Sequence, residues 1–433
     1  MSPPAPPHAG GAGRAFPFLV VIGLLVAALS LRGPIVAPTP VIREIEDDLG
    51  IGAASAGLLT TAPVLMFALL TPIAALVIRR AGAELALLVT LTGVLLGTAI
   101  RALPGYPALL TGMIVIGAAI TIGNVVIPVV IRRDVPPDRV AFVTASYTAT
   151  LNAGSLATSL LTAPIAEVVG WNLALVVWSV LTLAGVAVWS VHLARERRRG
   201  ALWGERFSGA PSAASAGVSS VDDVAALTGP LPVVSTRGGV FRRPVVWLLL
   251  GAFSLQVTIY YALSTWLPSI GADELGLDRS GAGALASIFQ GVAIAGSFLV
   301  PVLARYTPRI VVPLTISACW LTLTVGMLCA PELMWVWLSF GALAHAGGFV
   351  AIFSAVVTVA RTDAEATTIS ALVQGGGYGI GAFGAPIAGA LHEATGGWQG
   401  PLVLMLAVAV GYAVAILAAM AFVARANAVP RPH

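Results

Sequence analysis

Residues 144–171 read TASYTATLNAGSLATSLLTAPIAEVVGW, and residues 368–398 read TISALVQGGGYGIGAFGAPIAGALHEATGGW. Each contains an apolar run long enough to cross a hydrocarbon core of about 30 Å, which takes about 20 residues in a helix. Each also carries Ala-Pro-Ile followed later by Gly-Trp. Setting Pro164 against Pro386 places Asn152 against Gln374 and leaves five extra residues before the second Gly-Trp. Polar residues, prolines and glycines in common register inside two membrane-length runs indicate one ancestral unit duplicated in parallel. The chain therefore reads as two similar halves.

Working outward from that pair, apolar runs fall near 16–41, 54–78, 85–103, 106–131, 140–168 and 172–194. A second set falls near 244–270, 280–304, 309–329, 332–358, 364–391 and 397–424. The composition agrees with a membrane protein. Of 433 residues, 58% are hydrophobic and 10% charged, against about 25% charged in soluble domains. The expected fold is all-α, with twelve transmembrane helices in two six-helix bundles at 15–194 and 244–425. Between them, 195–243 is rich in Arg, Ser, Ala, Gly and Pro and cannot bury a core, so it reads as a largely disordered linker. Tails at 1–14 and 426–433 complete the division. The first apolar run is too long for a signal-peptide core and is read as a retained helix.

Lysine is absent, so all 23 basic residues are arginine. With the N-terminus in the cytoplasm, nineteen arginines fall on the cytoplasmic side, eight of them in the linker region. Only Arg43, Arg101 and Arg279 fall in outer loops. This is the positive-inside pattern of a plasma (inner) membrane protein with both termini cytoplasmic. The net charge of +4 thus belongs to topology, and no soluble segment could form a nucleic-acid-binding domain. Cys319 and Cys329 lie ten residues apart in one run, about 15 Å along a helix, so they are read as structural thiols. No metal-ligand spacing, phosphate-cradling loop or catalytic acid pair is present, so no cofactor, metal or enzyme activity is expected.

Parallel six-helix repeats joined by a cytoplasmic linker form a known transporter layout, and particular residues carry a closer likeness. LRGPIVAPTP (31–40), IGNVVIPVVIRRDVP (122–136), SYTATLNAG (146–154), QVTIYYALSTWLP (256–268) and ISALVQGGGYGIGAFGAPIAG (369–389) together resemble the cyanate and 2-nitroimidazole permease family of the major facilitator superfamily. The superfamily's Gly-x-x-x-Asp-Arg-x-Gly loop pattern is represented by ALVIRRAG (75–82), with Ala75 and Arg79 replacing its first glycine and its aspartate. The resemblance implies an alternating-access transporter for a small solute, acting as a monomer. It also implies a central cavity lined by the first, fourth, seventh and tenth helices.

No Asp, Glu or Lys falls near the middle of any run; the ionisable residues at depth are Arg32 and His345. An arginine at the bilayer centre costs about 2.5–3.5 kcal/mol on insertion scales. Arg32 either snorkels to the outer interface or bonds backbone carbonyls near Gly33, Pro34 and Pro38, or it binds an anion or electronegative group through its forked donors. Gly33 and Pro34 are expected to break the helix beside it and open space. His345 reads as a neutral interhelical bond, a substrate contact or a proton-coupling group. The resemblance brings Asn124, Gln256, Tyr260 and Tyr261 to the same cavity. Gln256 and Tyr260 share a face at i, i+4. Tyr147, Asn152, Gln374 and Tyr378 are secondary candidates, and Trp266 with Pro268 reads as part of an outer aromatic belt. The substrate is then a small anion or small electronegative planar solute anchored by Arg32, with a proton as candidate co-substrate. The competing reading is a broad-specificity exporter with an aromatic cavity and a structural Arg32.

Overall fold

A computed structural model describes residues 18–136, 139–198, 240–308, 310–360 and 363–428. The expected disorder at 1–14 and across most of 195–243 lies outside the described residues. The first half contains α1 (Phe18–Val36), α2 (Ile42–Leu49), α3 (Ala53–Ala81), α4 (Ala83–Arg101), α5 (Tyr106–Asp134), α6 (Val140–Val169), α7 (Trp171–Val177) and α8 (Ser179–Arg198). The second contains α9 (Pro244–Leu275), α10 (Arg279–Tyr306), α11 (Val311–Cys329), α12 (Met334–Val359), α13 (Asp363–Gly381), α14 (Gly384–Thr395) and α15 (Gln399–Ala428). Taking α7 with α8 and α13 with α14, and α2 as a cap beyond α1, gives twelve membrane-length segments, six in each half.

By length and apolarity, ten stretches qualify as spans among the described residues. The two that do not are α6 and α13–α14, the repeated pair, whose Ser, Thr and Gly content lowers their hydropathy. Part of each segment packs on the other half of the molecule. A Cβ on Gly283 of α10 would lie 2.6 Å from the Ser159 carbonyl of α6, and one on Gly57 of α3 would lie 2.8 Å from the Pro386 backbone of α14. Small residues let helices pack backbone to backbone where lipid supplies no hydrophobic drive. Outward, large apolar side chains such as Leu69, Val168, Leu173 and Val414 are exposed, as a bilayer requires.

Several expectations change in detail. The α1 helix runs through Gly33 and Pro34 and ends only at Val36. Gly33 serves close packing, because a Cβ there would lie 3.0 Å from Thr158 Cγ2 of α6. On the facing helix, a Cβ on Gly154 would lie 2.5 Å from the Leu29 carbonyl. The run expected at 364–391 is interrupted after Gly381. Pro386 has no N–H to give the Ala382 carbonyl four residues earlier, and Thr61 Oγ1 donates to that carbonyl instead, at 2.7 Å. Trp266 is not in an outer belt; it is 1% exposed, and its Nε1 donates to the Ala385 carbonyl at 2.8 Å. Arg101 is not a loop residue; it is buried at the end of α4.

The end of the bundle opposite Phe18 and Ala428 is tied across the halves by polar contacts. Arg43 pairs with Asp273, Arg279 with Glu44 at 2.9 Å, and Ser280 Oγ donates to Glu167 at 3.3 Å. The Ala53 N–H at the start of α3 donates to Glu393. The Gly-Trp of each repeat takes part in the same region. Trp171 Nε1 donates to Asp48 and Trp398 Nε1 to Asp273. Gly170, at φ +82°, adopts backbone geometry open to glycine and turns α6 directly into α7.

Two outcomes follow from this packing. Arg43 and Asp273 are 45% and 37% exposed, so their pair contributes about 0.2–1 kcal/mol and should break readily. In a background lacking both cysteines, Asp273→Arg is expected to raise thiol labelling of a cysteine at Thr60 several-fold, and adding Arg43→Asp to lower it again. Gly154→Val is expected to force α6 from α1 and destabilise the fold by about 1–3 kcal/mol, read as a lower melting temperature in detergent.

Candidate functional site

Where α1 and α6 cross at Gly33 and Gly154, their side chains at the next level meet. Arg32 Nη1 donates to Asn152 Oδ1 at 2.9 Å. Its Nη2 lies 3.0 Å from His345 Nε2 on α12, in the other half. An arginine can only donate, so Nε2 accepts, and the imidazole in this arrangement is neutral with its proton on Nδ1. That Nδ1 is buried without a hydrogen-bond partner. Protonating Nε2 here would set two cations 3.0 Å apart, so His345 cannot take a proton while Arg32 holds it.

The Tyr260 ring, on α9, completes the arrangement. It stacks on His345 with centroids 3.8 Å apart and planes 13° apart, and Arg32 Cζ lies 4.9 Å from its centroid. A cation against an aromatic face contributes about 0.5–2 kcal/mol, more when desolvated. Gln290 Nε2 lies 3.5 Å from the Tyr260 hydroxyl. Asn152 reaches across to α10 as well, its Nδ2 lying 3.4 Å from Ser297 Oγ. The guanidinium thus bridges both halves through neutral acceptors, with no carboxylate among its bonded partners.

These groups border a cavity of about 30 Å³ lined by Arg32, Gln256, Val257, Tyr260, Tyr261, His345, Phe349 and Tyr378. Gln256 is 1% exposed, yet neither its Oε1 nor its Nε2 has a partner. A buried amide without partners costs about 1–3 kcal/mol per unsatisfied group, so this one calls for an occupant that both donates and accepts. Its position depends on Gly348 of α12, where a Cβ would fall 1.8 Å from Gln256 Oε1.

Six of the ten residues singled out from the sequence therefore meet: Arg32, Gln256, Tyr260, Tyr261, His345 and Tyr378 line the cavity, and Asn152 stands behind Arg32 as a seventh. Three do not line it. Asn124 is half-buried on α5, where neighbouring Gly123 packs on Leu31 and Thr90. Tyr147 is buried on α6. Gln374 donates to Ser370 Oγ at 3.0 Å within α13. Sequence reading missed Phe349, Val257 and Ser297. Phe349 was findable, since it lies four residues from His345 and so on the same helical face; Val257 and Ser297 carry no local signal.

The chain is similar to known transporters along most of its length. The chain is 28% identical over 387 residues to the 2-nitroimidazole transporter of Escherichia coli (strain K12), covering 89% of this chain and 91% of that protein. It is 26% identical over 395 residues to the uncharacterized transporter YycB of Bacillus subtilis (strain 168), covering 90% of each. Among solved structures, a bacterial homolog of the human lysosomal transporter Spinster, in an inward-facing and unoccupied conformation, matches with a TM-score of 0.64. That match covers 95% of this chain and 96% of the other at 16% identity, a likeness of fold. The profile of the Major Facilitator Superfamily matches residues 20–383, and the chain belongs to that superfamily of multi-pass membrane transporters.

Proposed function

We propose that the protein moves a small anion or small electronegative planar solute across the plasma (inner) membrane by alternating access, with Arg32 as the substrate anchor. The observation that carries this reading is a permanent cation at membrane depth held only by neutral acceptors, beside a buried amide with no partner. An anion or nitro-type oxygen can take up the guanidinium's donors, while the Gln256 amide reads the rest of the solute. The rings of Tyr260, Tyr261 and Phe349 favour a flat occupant. The 2-nitroimidazole named for the Escherichia coli relative has that chemistry: a flat ring, electronegative oxygens, and both a donor and an acceptor.

The cavity supports a tight site that opens on loading. Its volume of about 30 Å³ has room for about two waters, so a ring enters only as side chains part. Arg32 is the natural group to yield, because its bond to His345 spans the halves at 15–194 and 244–425 that rock against each other. Both termini face the cytoplasm in this reading, in line with the arginine distribution, and one chain suffices for transport.

A proton has a defined place in the same scheme. While Arg32 occupies the lone pair of His345, that imidazole stays neutral. A solute that draws Arg32 away frees Nε2 to accept a proton, so loading with an anion and loading with a proton favour each other.

In proteoliposomes given labelled 2-nitroimidazole or cyanate, Arg32→Ala is expected to weaken binding about ten- to a hundredfold, the worth of one charged hydrogen bond. Arg32→Lys keeps the charge without the fork and should fall between. Undiminished binding by both variants, with normal folding, would overturn the anchor role. His345→Gln keeps an acceptor for Arg32 but cannot titrate, and is expected to flatten the pH dependence of transport between about pH 5 and 8. An identical pH profile in wild type and variant removes the proton from the scheme.

A further inference from the structure

Arg101 is a second guanidinium inside the bundle, and the substrate site does not include it. It is 1% exposed at the end of α4. Its Nη1 donates to the Pro34 carbonyl at 2.8 Å and lies 3.7 Å from Met113 Sδ, while Nη2 donates to the Leu175 carbonyl at 2.8 Å. Its Nε has no partner. Room for the side chain comes from α5, where a Cβ on Gly112 would lie 2.5 Å from Arg101 Cβ.

The first of those carbonyls is free for a reason written in the sequence. The chain past Pro34 is still helical: the Ala37 N–H donates to the Gly33 carbonyl at 2.8 Å, and Pro38 itself has φ −66° and ψ −25°. The next bond in that series would run from residue 38 to the Pro34 carbonyl, but proline has no N–H. The second carbonyl lies in the last turn of α7, where the helix stops short of Trp178 and its final carbonyls lose their helical partners.

We propose that Arg101 is a positioning residue for Arg32: it replaces the N–H that Pro38 lacks and pins the end of α1, two residues beyond Arg32, to α4 and α7. Pinned there, the backbone carrying Arg32 keeps its place when the side chain exchanges His345 and Asn152 for a solute. The role of Arg101 in binding rests on the reading of Arg32 as anchor; the pinning of α1 does not.

Replacing Pro38 tests the idea, because alanine at 38 would restore the missing N–H. Hydrogen exchange across residues 29–41 reads the pinning directly, and proteoliposome uptake of 2-nitroimidazole reads its consequence. Arg101→Met is expected to speed exchange in that segment about tenfold or more through local opening. It should also raise KM about tenfold with Vmax changed less than about twofold, the mark of lost binding. Adding Pro38→Ala should return both readings most of the way to wild type. Unchanged exchange in Arg101→Met, or a double variant as loose as the single one, would overturn the proposal. If Arg101→Met does not fold, recovery of folded protein on adding Pro38→Ala supports it, and failure of the double variant to fold overturns it. Exchange that rises and recovers while KM stays put upholds the pinning and counts against Arg32 as the anchor, so the two readings fail separately.

Discussion

A guanidinium in hydrocarbon cannot borrow hydrogen bonds from water, so each one must find acceptors inside the protein. Among the described residues Arg32 and Arg101 lie inside the bundle, and their partners differ in kind. Arg101 is held by carbonyls of its own half, at Pro34 and Leu175. Arg32 is held by Asn152 of its own half and by His345 of the other. The insertion cost of an arginine is about 2.5–3.5 kcal/mol at the helix centre, which Arg32 approaches more nearly than Arg101, the last residue of α4. Of the two, only Arg32 has a partner in the other half. That difference separates a guanidinium fixed within one half from one that bridges both.

Two of the carbonyls that receive side-chain donors within the bundle are left without a helical donor by proline. A proline inside or just after a helix deprives the carbonyl four residues earlier of its usual donor. Pro38 leaves the Pro34 carbonyl to Arg101, and Pro386 leaves the Ala382 carbonyl to Thr61. The second bond joins α3 to the break between α13 and α14, and so links the halves. In water such carbonyls would be solvated and contribute no tertiary structure. Inside a membrane protein such a carbonyl can serve as an attachment point, as those of Pro34 and Ala382 do here.

Much of the fold was legible because the bilayer imposes its length on every helix, and because the repeat kept its prolines and Gly-Trp pairs. Arg32 and His345 were legible for the complementary reason: against runs with no acid at depth, an ionisable residue stands out. Two of the misreadings share one cause. Arg101 and Trp266 sit near the ends of apolar runs, where sequence alone cannot separate a side chain facing the interface from one folded inward onto a carbonyl. Their partners are set by helix breaks at Pro38, Trp178 and Ala382, which depend on tertiary packing. Asn124, which read equally as an interhelical bond or a cavity residue, is half-buried on α5 and is not among the residues that line the cavity. Gly33 was read as a breaker, when its small size instead serves the crossing with α6.

That crossing connects packing to chemistry. Gly33 and Gly154 let α1 and α6 approach until a Cβ at either position would press on the other helix, and only at that separation does Asn152 reach Arg32. A larger residue at either position would preserve every polar group of the site and still separate them. Gly348 has the same relation to Gln256 in the other half. The polar residues set what the cavity can bind, but the glycines facing them set whether they converge. A glycine-rich segment such as QGGGYGIGAFG, which by itself suggests mobility, lies beside a site built on close and definite contacts. At Gly376, Gly377, Gly381 and Gly384 the space is already filled by neighbouring residues: a Cβ on Gly377 would meet the Phe253 ring at 2.2 Å, and that ring packs edge-on against Tyr378 of the cavity wall at 5.2 Å.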